Sequence, residues 1–339
     1  MSKNHRQPVN LTSIRNLLEE QQTPSVMFDE NLLVNGDNYG WLPDATIDLV
    51  LTDPPFNIAR DTNFHTYKDN TVNSYRFDAG KGWDSYSQEE FIQLLRSWAL
   101  DISRVLRPGG SFAIFCADRY LSHLIEALEL ANLSPKRTLT WRKPNAVPVN
   151  RKSMMMSACE YVVIGVKGAK PTFNADIDLD TISLYVDVER VLVADKVSAI
   201  VDKHVREQIS LIQIGGPSRV PLVKRAVNRA LKNATIEVAN RVESMYILED
   251  NKATLRGCIP NHVAFTSKGG KRLHPTEKPV QLLNYLIALL SKEGDTVLDP
   301  FSGSGSTGES ALSLSRKVIL VERDTDFYNK SSNRLTGLI

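Results

Sequence analysis

The sequence lacks most features of a secreted, membrane-spanning or zinc-binding chain. It has only three cysteines, and Cys116, Cys159 and Cys258 lie too far apart to indicate a disulfide framework or a set of zinc ligands. No apolar run approaches the roughly 18 residues of a membrane span, and the polar start of the chain lacks the apolar core of a signal peptide. We therefore expect a soluble chain in a reducing, cytoplasmic setting, with no bound metal.

Net charge is also small. The 339 residues include 41 Lys and Arg against 39 Asp and Glu, which gives a formal net charge of +2 at pH 7. Charged residues make up 24% and hydrophobic residues 42% of the chain, which are ordinary values for a globular protein. This composition excludes global disorder, a collagen and a long coiled coil, and the length fits one large domain or two ordinary ones.

Basic residues are nevertheless concentrated in three stretches that contain no acid, residues 130–159, 208–236 and 251–276. Any one such stretch is most simply a solvated face, but together they are also typical of a protein that binds nucleic acid. The first two stretches supply the candidates for contacts with phosphates, which are Arg142, Lys143, Arg151, Lys152, Arg219, Lys224, Arg225 and Arg229.

Apolar runs and helical patterns alternate along much of the chain. The run IDLVLT is continuous and apolar, as expected of a buried parallel strand, and Ser87 and Glu90 have the spacing of a capping box that begins a helix. Pro279 suits the first position of another helix, with Gly294 just after its end. Because strands and helices alternate, we expect an α/β fold with a mostly parallel sheet. Predicted strands cover residues 47–52, 111–117, 137–142, 161–167, 296–299 and 317–322, and predicted helices begin near residues 88, 119, 279 and 307.

Three segments depart from this alternation. Residues 1–24 are polar with a short helical pattern, and we expect an N-terminal appendage. Residues 57–86 are polar and aromatic without a clear period, which is typical of a functional or mobile loop. Residues 170–255 change to acidic and basic helical stretches, and we expect a separate lobe or insertion. The remaining segments, 25–169 and 256–339, are then two halves of one domain.

A glycine-rich turn follows the predicted strand at 296–299. Residues 303–308 match G-x-G-x-x-G and open a helix, and Glu322 ends the next strand, which is the pattern of dinucleotide sites. Asp299, however, lies at the tip of the strand, where its charge would repel a pyrophosphate and would suit a ligand amino group. The pattern thus favours S-adenosylmethionine, which carries adenosine and an amino acid but no phosphate, over NAD. The alternative is a tight turn that binds no ligand.

A second turn, Asp53-Pro54-Pro55-Phe56, ends the predicted strand at 47–52. The two prolines prevent further strand pairing and fix the backbone, so the Pro54 carbonyl has a set direction beside the Asp53 carboxylate. Two neighbouring acceptors can hold both hydrogens of an exocyclic amine while the Phe56 ring stacks on a base. An amine held in this way points its lone pair at an electrophile, and catalysis rests on positioning. The alternative is a stiff loop with a buried Phe.

Both turns belong to segments that resemble motifs of one enzyme family. LTDPPFN (51–57) and DPFSGSGSTG (299–308) look like the catalytic and cofactor motifs of amino-directed DNA methyltransferases, and RLHPTEKPVQLL (272–283) is similar to their HPTxKP motif. The catalytic motif precedes the cofactor motif here, which is the permuted order of the β class. The resemblance extends over about residues 25–170 and 255–330. It implies a Rossmann-like, S-adenosylmethionine-dependent methyltransferase fold with a mostly parallel central sheet flanked by helices.

The resemblance also implies a cofactor site for S-adenosylmethionine. Glu322 would bind the ribose, Asp37 would lie near the adenine, and Lys278 would pair with the carboxylate of the cofactor. The remaining candidates would line the turn or approach the amino-acid end of the cofactor, and these are Asp299, Phe301, Gly303, Ser304, Gly305, His274 and Thr276.

The catalytic motif would hold a target base that is flipped out of the duplex, through Asp53, Pro54, Pro55 and Phe56. In this family Asp at the first position goes mostly with adenine and Ser mostly with cytosine, so Asp53 favours adenine. Phe56 stands where Tyr is commoner, which keeps the stacking face and loses a hydroxyl. Residues 170–255 lie where the family has its target-recognition region.

Taken together, the resemblance implies methyl transfer from S-adenosylmethionine to the exocyclic amine of adenine in double-stranded DNA, by direct attack without a covalent enzyme intermediate. Alternatives that stay open are a cytosine, RNA or protein acceptor, an inactive core that only binds DNA, and, more distantly, an NAD-dependent dehydrogenase. Expected partners are duplex DNA and, if the chain is part of a restriction-modification system, a cognate restriction endonuclease. The chain is expected to be a monomer or a homodimer.

Overall fold

The computed structural model describes residues 9–57, 64–68, 71–75, 84–143, 158–174, 247–249, 252–254, 262–264 and 277–337. By their internal contacts the residues fall into two units, one formed by 1–174 with 261–339 and the other by 175–260. The second unit covers most of the segment predicted as an insertion, and its described residues form a short antiparallel hairpin. Within the described stretches, no helix is long and apolar enough to cross a membrane.

The elements follow one another in a largely alternating order. The strands are β1 (Ser25–Phe28), β2 (Asn31–Asn35), β3 (Ile47–Thr52), β4 (Phe64–Lys68), β5 (Thr71–Tyr75), β6 (Leu106–Cys116), β7 (Ser134–Arg142), β8 (Cys159–Val166), β9 (Ile247–Glu249), β10 (Lys252–Thr254), β11 (His262–Ala264), β12 (Thr296–Asp299) and β13 (Lys317–Glu322). The helices are α1 (Leu11–Glu20), α2 (Gln88–Val105), α3 (Leu121–Leu130), α4 (Val280–Leu290), α5 (Ser306–Ser313) and α6 (Thr325–Thr336).

The first unit is organised around a nine-stranded sheet with the order β1-β2-β13-β12-β3-β6-β8-β7-β11. β8 runs antiparallel to both of its neighbours and β1 antiparallel to β2, while the other neighbouring strands are parallel. The expectation of a Rossmann-like α/β fold with a mostly parallel sheet is confirmed. β12 and β13 come from the C-terminal part of the chain, and β12 pairs with β3 from the N-terminal part. Because these three strands are parallel, their carboxyl ends meet at one edge of the sheet.

Both faces of this sheet are covered, which explains why its central strands are apolar without alternation. In β13, Ile319 and Val321 belong to a core cluster with residues of α1, α2 and α3. Leu320 points to the other face, where a Cβ added at Gly308 of α5 would lie 2.8 Å from its Cδ1 and 2.9 Å from Leu335 Cδ2 of α6. The absence of a side chain at Gly308 therefore lets α5 approach the sheet closely.

Several predicted boundaries are confirmed. β3, β12 and β13 coincide with the predicted strands, and every residue of β3 is buried. The capping box is present as predicted, since Ser87 Oγ accepts from Glu90 N at 3.1 Å and Ser87 N donates to Glu90 Oε2 at 2.8 Å. These strands and this cap carry strong local signals, which is why their positions follow from the sequence.

Other expectations need correction. Residues 57–86 are not an irregular loop throughout, because β4 and β5 pair antiparallel between Phe64 and Tyr75. Residues 1–24 are more than an appendage, because α1 packs Ile14 and Leu18 into the core cluster. Helix α6 was not predicted at all. Its sequence buries only three side chains, so its apolar pattern is weak.

Two helix boundaries also differ from the prediction. Pro279 is the residue before α4 rather than its first helical residue, with φ −60° and an extended ψ of 131°. Gly294 does not end this helix, which stops at Leu290 and is followed by the extended Ser291. Gly294 instead has φ +74° in the turn that leads to β12, where its N–H donates to the Ser315 carbonyl at 2.8 Å.

Candidate active site

The predicted catalytic and cofactor turns lie side by side at the carboxyl edge of the sheet. β3 ends immediately before Asp53, β12 ends at Asp299, and β12 pairs in parallel with β3. The buried hydroxyl of Thr52 donates to Asp299 Oδ1 at 2.7 Å, so one hydrogen bond joins the two strand ends. Residues almost 250 positions apart in sequence are therefore brought into one site.

The glycine-rich turn has a backbone that only glycine adopts easily. Gly303 and Gly305 have φ values of +51° and +80°, in the left-handed region. A Cβ at Gly305 would also lie 2.3 Å from Ser331 Oγ of α6. The turn thus leads into the N-terminus of α5 with its backbone N–H groups close to the strand ends.

Asp299 is held at the tip of β12 by donors from three sides. Its carboxylate accepts from Phe301 N at 3.1 Å in addition to Thr52, and Phe301 in turn packs edge-on against the Trp98 ring of α2 at 4.8 Å. Burial raises the pKa of Asp299, while hydrogen bonds from Thr307 and Thr52 act against this rise. The carboxylate is thereby fixed in orientation, as a group that recognises a cation must be.

Glu322 ends β13 beside the same turn. Its Oε2 accepts from Gly303 N at 2.7 Å and its Oε1 accepts from Asp324 N at 2.7 Å. Burial raises the pKa of Glu322 to about 7, against the lowering effect of these two backbone donors. Asp37, predicted near a cofactor adenine, is exposed two residues after β2, whose Asn35 pairs in register with Glu322.

The catalytic turn places Asp53 next to a buried ammonium group. Lys278, whose side chain is 5% exposed, donates from Nζ to Asp53 Oδ2. The ammonium also lies 5.1 Å from the ring centroid of Phe56 and 5.0 Å from that of Phe115. Burial raises the pKa of Asp53, and the charge of Lys278 opposes this rise. Lys278 was predicted as a partner for the cofactor carboxylate, but here its ammonium is bound by protein carboxylates.

Glu160 at the start of β8 is a second carboxylate beside Lys278, and it belongs to none of the sequence motifs. Its Oε2 lies 3.3 Å from Lys278 Nζ, and its Oε1 accepts from Lys143. Burial would raise the pKa of Glu160, but the charges of Lys278 and Lys143 outweigh burial and lower it. The sequence gives one indication that Glu160 has a charged partner, because it is the first acid after the basic stretch of residues 130–159.

Asn57 closes the catalytic turn, and sequence reasoning missed it as well. Its φ of +55° turns the chain after Phe56. Its side chain donates to the Tyr120 hydroxyl at 2.9 Å and accepts from Tyr86 N at 2.8 Å, and its N–H donates to Asp84. The two ends of the segment that carries β4 and β5 are therefore tied together directly beside the Asp53 turn.

An apolar wall supports the turn from behind. A small pocket is lined by Pro54, Pro55, Phe56, Phe91, Leu95, Phe115, Cys116, Ala117, Tyr120 and Leu124. Because these side chains come from β6, α2 and α3 as well as from the turn itself, the backbone of the turn is braced by the core. This rigidity suits a site that acts by positioning.

The remaining predicted residues are less informative. Arg142 is exposed at the end of β7, whereas Lys143 contacts Glu160 and lies 5.1 Å from the Trp141 ring centroid. Within the described residues, no three His, Cys, Asp or Glu side chains are grouped as metal ligands. The candidates that lie outside the described residues are His274, Thr276, Arg151, Lys152, Arg219, Lys224, Arg225 and Arg229.

Comparison with known sequences gives a consistent set of matches. The sequence profile of the DNA methylase family N6_N4_Mtase matches residues 47–333. The Type II methyltransferase M.HpaI of Haemophilus parainfluenzae is 23% identical over 301 residues, which is 87% of this chain and 69% of that protein. The Type II methyltransferase M.HindIII of Haemophilus influenzae is 24% identical over 269 residues, which is 75% of this chain and 73% of that protein.

A solved structure shares the fold. The PvuII DNA methyltransferase, described as cytosine-N4-specific, superimposes with a TM-score of 0.54 and 17% sequence identity, over 89% of this chain and 85% of that chain. At this level of identity the similarity concerns the fold. It agrees with the Rossmann-like sheet.

Proposed function

The chain belongs to the DNA methylase family N6_N4_Mtase, a family of S-adenosylmethionine-dependent enzymes that methylate amino groups of DNA bases, and we propose that its acceptor is the N6 amine of adenine in duplex DNA. The observation that carries the proposal is the Asp53 turn, which abuts the glycine-rich turn through the Thr52–Asp299 hydrogen bond. A base held at one turn and a methyl donor held at the other would meet at this edge.

The residues of the second turn fit S-adenosylmethionine. Gly303 and Gly305 have no side chains and adopt left-handed φ values, so an adenosine can approach the backbone of the turn closely. Asp299 is an oriented carboxylate for the amino group, and Glu322 has acceptor capacity for the ribose hydroxyls. When bound, S-adenosylmethionine supplies a methyl group made electrophilic by its sulfonium.

Asp53 and Pro54 would then act on the target base. The Asp53 carboxylate and the Pro54 carbonyl accept the two N–H groups of the exocyclic amine, so the nitrogen lone pair is directed away from both acceptors. The Phe56 ring offers a face on which the flipped base stacks. The proton that the methylated amine loses passes to Asp53 or to solvent. No covalent bond to the enzyme is required, and catalysis rests on orientation.

Adenine is proposed over cytosine because Asp53 occupies the first position of the motif, where the resembling enzymes carry Asp mostly for adenine. Cytosine-N4 is the second candidate, and the observation that favours it is the shared fold with a cytosine-N4-specific enzyme. The amines of adenine and cytosine both fit a pair of acceptors, so the choice between the two bases depends on contacts with the remainder of the base. We assign target recognition to residues 170–255 and include exposed Arg142 among the phosphate contacts.

The Asp53→Ala variant tests the proposed catalytic role. We expect transfer of labelled methyl from S-adenosylmethionine to mixed-sequence duplex DNA to fall at least about 100-fold, because the amine loses one of its two acceptors. Affinity for S-adenosylmethionine, measured by calorimetry, should stay within about threefold, since Asp53 is not assigned to the cofactor. Asp44→Ala is the matched control, as the Asp44 side chain is 75% exposed. Full methylation by Asp53→Ala would contradict the role.

A further inference from the structure

Four charged side chains form an alternating series that leads away from the catalytic turn. Lys278 donates a hydrogen bond to Asp53 and Lys143 donates one to Glu160, while Lys278 Nζ lies 3.3 Å from Glu160 Oε2, which is an ion pair without a hydrogen bond. The series therefore contains two carboxylates and two ammonium groups. Lys278 lies inside it, with a side chain that is 5% exposed, while Lys143 at its outer end is 20% exposed.

The buried ammonium of Lys278 is balanced by more than Asp53 alone. Removing an ammonium from water is costly, and the cost is recovered only where several acceptors surround it. Lys278 has two carboxylates, on Asp53 and Glu160, and the rings of Phe56 and Phe115 beside it. The ammonium is thus attracted by Glu160 at the start of β8 and by Asp53 at the end of β3, and it lies between the two carboxylates.

The two oxygens of Asp53 differ as a result. Oδ2 accepts from Lys278, whereas Oδ1 is buried and has no hydrogen-bond partner among the described residues. A buried carboxylate oxygen without a donor costs stability unless a ligand supplies one. An exocyclic amine has the donors that Oδ1 lacks.

We propose that Glu160 is a positioning residue, which holds the Lys278 ammonium on Oδ2 of Asp53 and thereby reserves Oδ1 as the acceptor for the target amine. This inference rests on the proposed function, since it assigns the amine to one atom of the site. Without the charge of Glu160, Asp53 would be the remaining carboxylate in ion-pair contact with Lys278 among the described residues, and the ammonium would bridge both of its oxygens. The amine would then compete with the ammonium for Oδ1.

Lys278 then has a different role from the one predicted from the sequence, in which it pairs with the carboxylate of the cofactor. An ammonium that is held between Asp53 and Glu160 is occupied before the cofactor binds. Lys143 neutralises the second oxygen of Glu160 and so keeps that carboxylate from drawing Lys278 away from Asp53. Removal of Glu160 should therefore affect the methylation step rather than cofactor affinity.

The test is the Glu160→Gln variant, which keeps the size of the side chain and removes its charge. We expect kcat for DNA methylation to fall about 10-fold or more, with KM for DNA and for S-adenosylmethionine within about twofold of wild type. Glu129→Gln makes the same chemical change at an exposed position of α3 and should leave kcat unchanged. An unchanged kcat in Glu160→Gln would overturn the inference.

The pH profile separates positioning from a merely structural role. The charged and titratable groups that act on Asp53 are Lys278, Glu160, Asp299 and Cys116, and Lys143 acts on Glu160. The charge of Glu160 raises the pKa of Asp53, so its removal should move the acid limb of kcat to lower pH. Glu160→Asp keeps the charge and should keep the limb near its wild-type position. A limb that does not move in Glu160→Gln would contradict the proposal.

A structure of the wild-type enzyme with target DNA and an unreactive cofactor analogue tests the atom assignment without any variant that might fail to fold. We expect the target amine on Oδ1 of Asp53, with Lys278 still on Oδ2. An amine on Oδ2, or Lys278 moved to the cofactor carboxylate, would overturn it. Failure of the proposed function would be seen in another experiment, because wild-type enzyme would then leave DNA adenine unmethylated in the labelled methyl-transfer assay.

Discussion

At the scale of single residues, the site is a group of carboxylates that are buried before any ligand arrives. Asp53, Asp299 and Glu322 each follow or end a parallel strand, and burial raises the pKa of all three. Asp53 has an ammonium partner, whereas Asp299 and Glu322 depend on hydroxyl and backbone donors. Such an arrangement disfavours the empty site and favours ligands that bring hydrogen-bond donors or positive charge.

Through Glu322, the affinity for S-adenosylmethionine should depend on pH. Its pKa of about 7 means that the carboxylate is partly protonated near neutral pH. The ionised form is the stronger acceptor for ribose hydroxyls, so affinity for S-adenosylmethionine should rise as the pH is raised from 6 to 8. In Glu322→Gln this part of the dependence should disappear and affinity should fall about 10-fold, as calorimetry across the pH range would show. An identical pH dependence in wild type and variant would contradict the assignment.

At the scale of elements, α6 joins the parts of the cofactor side. Arg334 donates to Glu277 at 2.9 Å and to the Ser304 carbonyl at 3.3 Å, and it also contacts Glu309 of α5. Glu277 directly precedes Lys278, so one guanidinium links the residue before Lys278 with the glycine-rich turn. This helix was missed from the sequence because it buries only Tyr328, Ser331 and Leu335, which gives a weak apolar period.

Substitution of Arg334 by Met should therefore be strongly destabilising. Its side chain is 9% exposed and that of Glu277 is fully buried, so the variant removes a buried cation that pairs with the carboxylates of Glu277 and Glu309. We expect the free energy of unfolding in urea to fall by about 3 kcal/mol. Arg323→Met, at an exposed position just before the same helix, should change it by less than about 0.5 kcal/mol. Equal stability of the two variants would contradict a linking role for Arg334.

The elements that the sequence predicted are those with strong local signals. β3 and β13 are apolar runs, and α2 begins at a capping box. The hairpin of β4 and β5 was missed because its residues are polar and aromatic, and Asn57, which ties its two ends, carries no pattern of its own. Contacts of this kind are long-range in sequence and depend on the finished fold.

At the scale of the whole molecule, the site is assembled by strand order. Asp53 comes from the first half of the chain and Asp299 from the second, and they meet because β12 is inserted beside β3. Hydrophobic periodicity gives the strands but not their order, and the two turns were brought together in advance only through the resemblance to permuted methyltransferases. Glu160 was missed because its role depends on Lys278, which is distant in sequence and adjacent only in the fold.

The N-terminal helix tests how far the folded core extends. Leu18 of α1 is fully buried in the core cluster, whereas its neighbour Leu17 is 36% exposed. Leu18→Ala should lower the free energy of unfolding by about 3 kcal/mol, because it leaves a cavity in the core. Leu17→Ala, the matched control, should lower it by less than about 1 kcal/mol. If urea unfolding gave equal losses for both variants, α1 would be a true appendage.

The central claim is that this site methylates the exocyclic amine of adenine, and the most direct measurement is the identity of the methylated nucleoside. Mixed-sequence duplex DNA would be incubated with the enzyme and S-adenosylmethionine carrying a labelled methyl group, digested to nucleosides and analysed by mass spectrometry. We expect label in N6-methyladenine with wild-type enzyme and none with Asp53→Ala. Label in N4-methylcytosine would contradict the assignment to adenine, and DNA without label would contradict the claim as a whole.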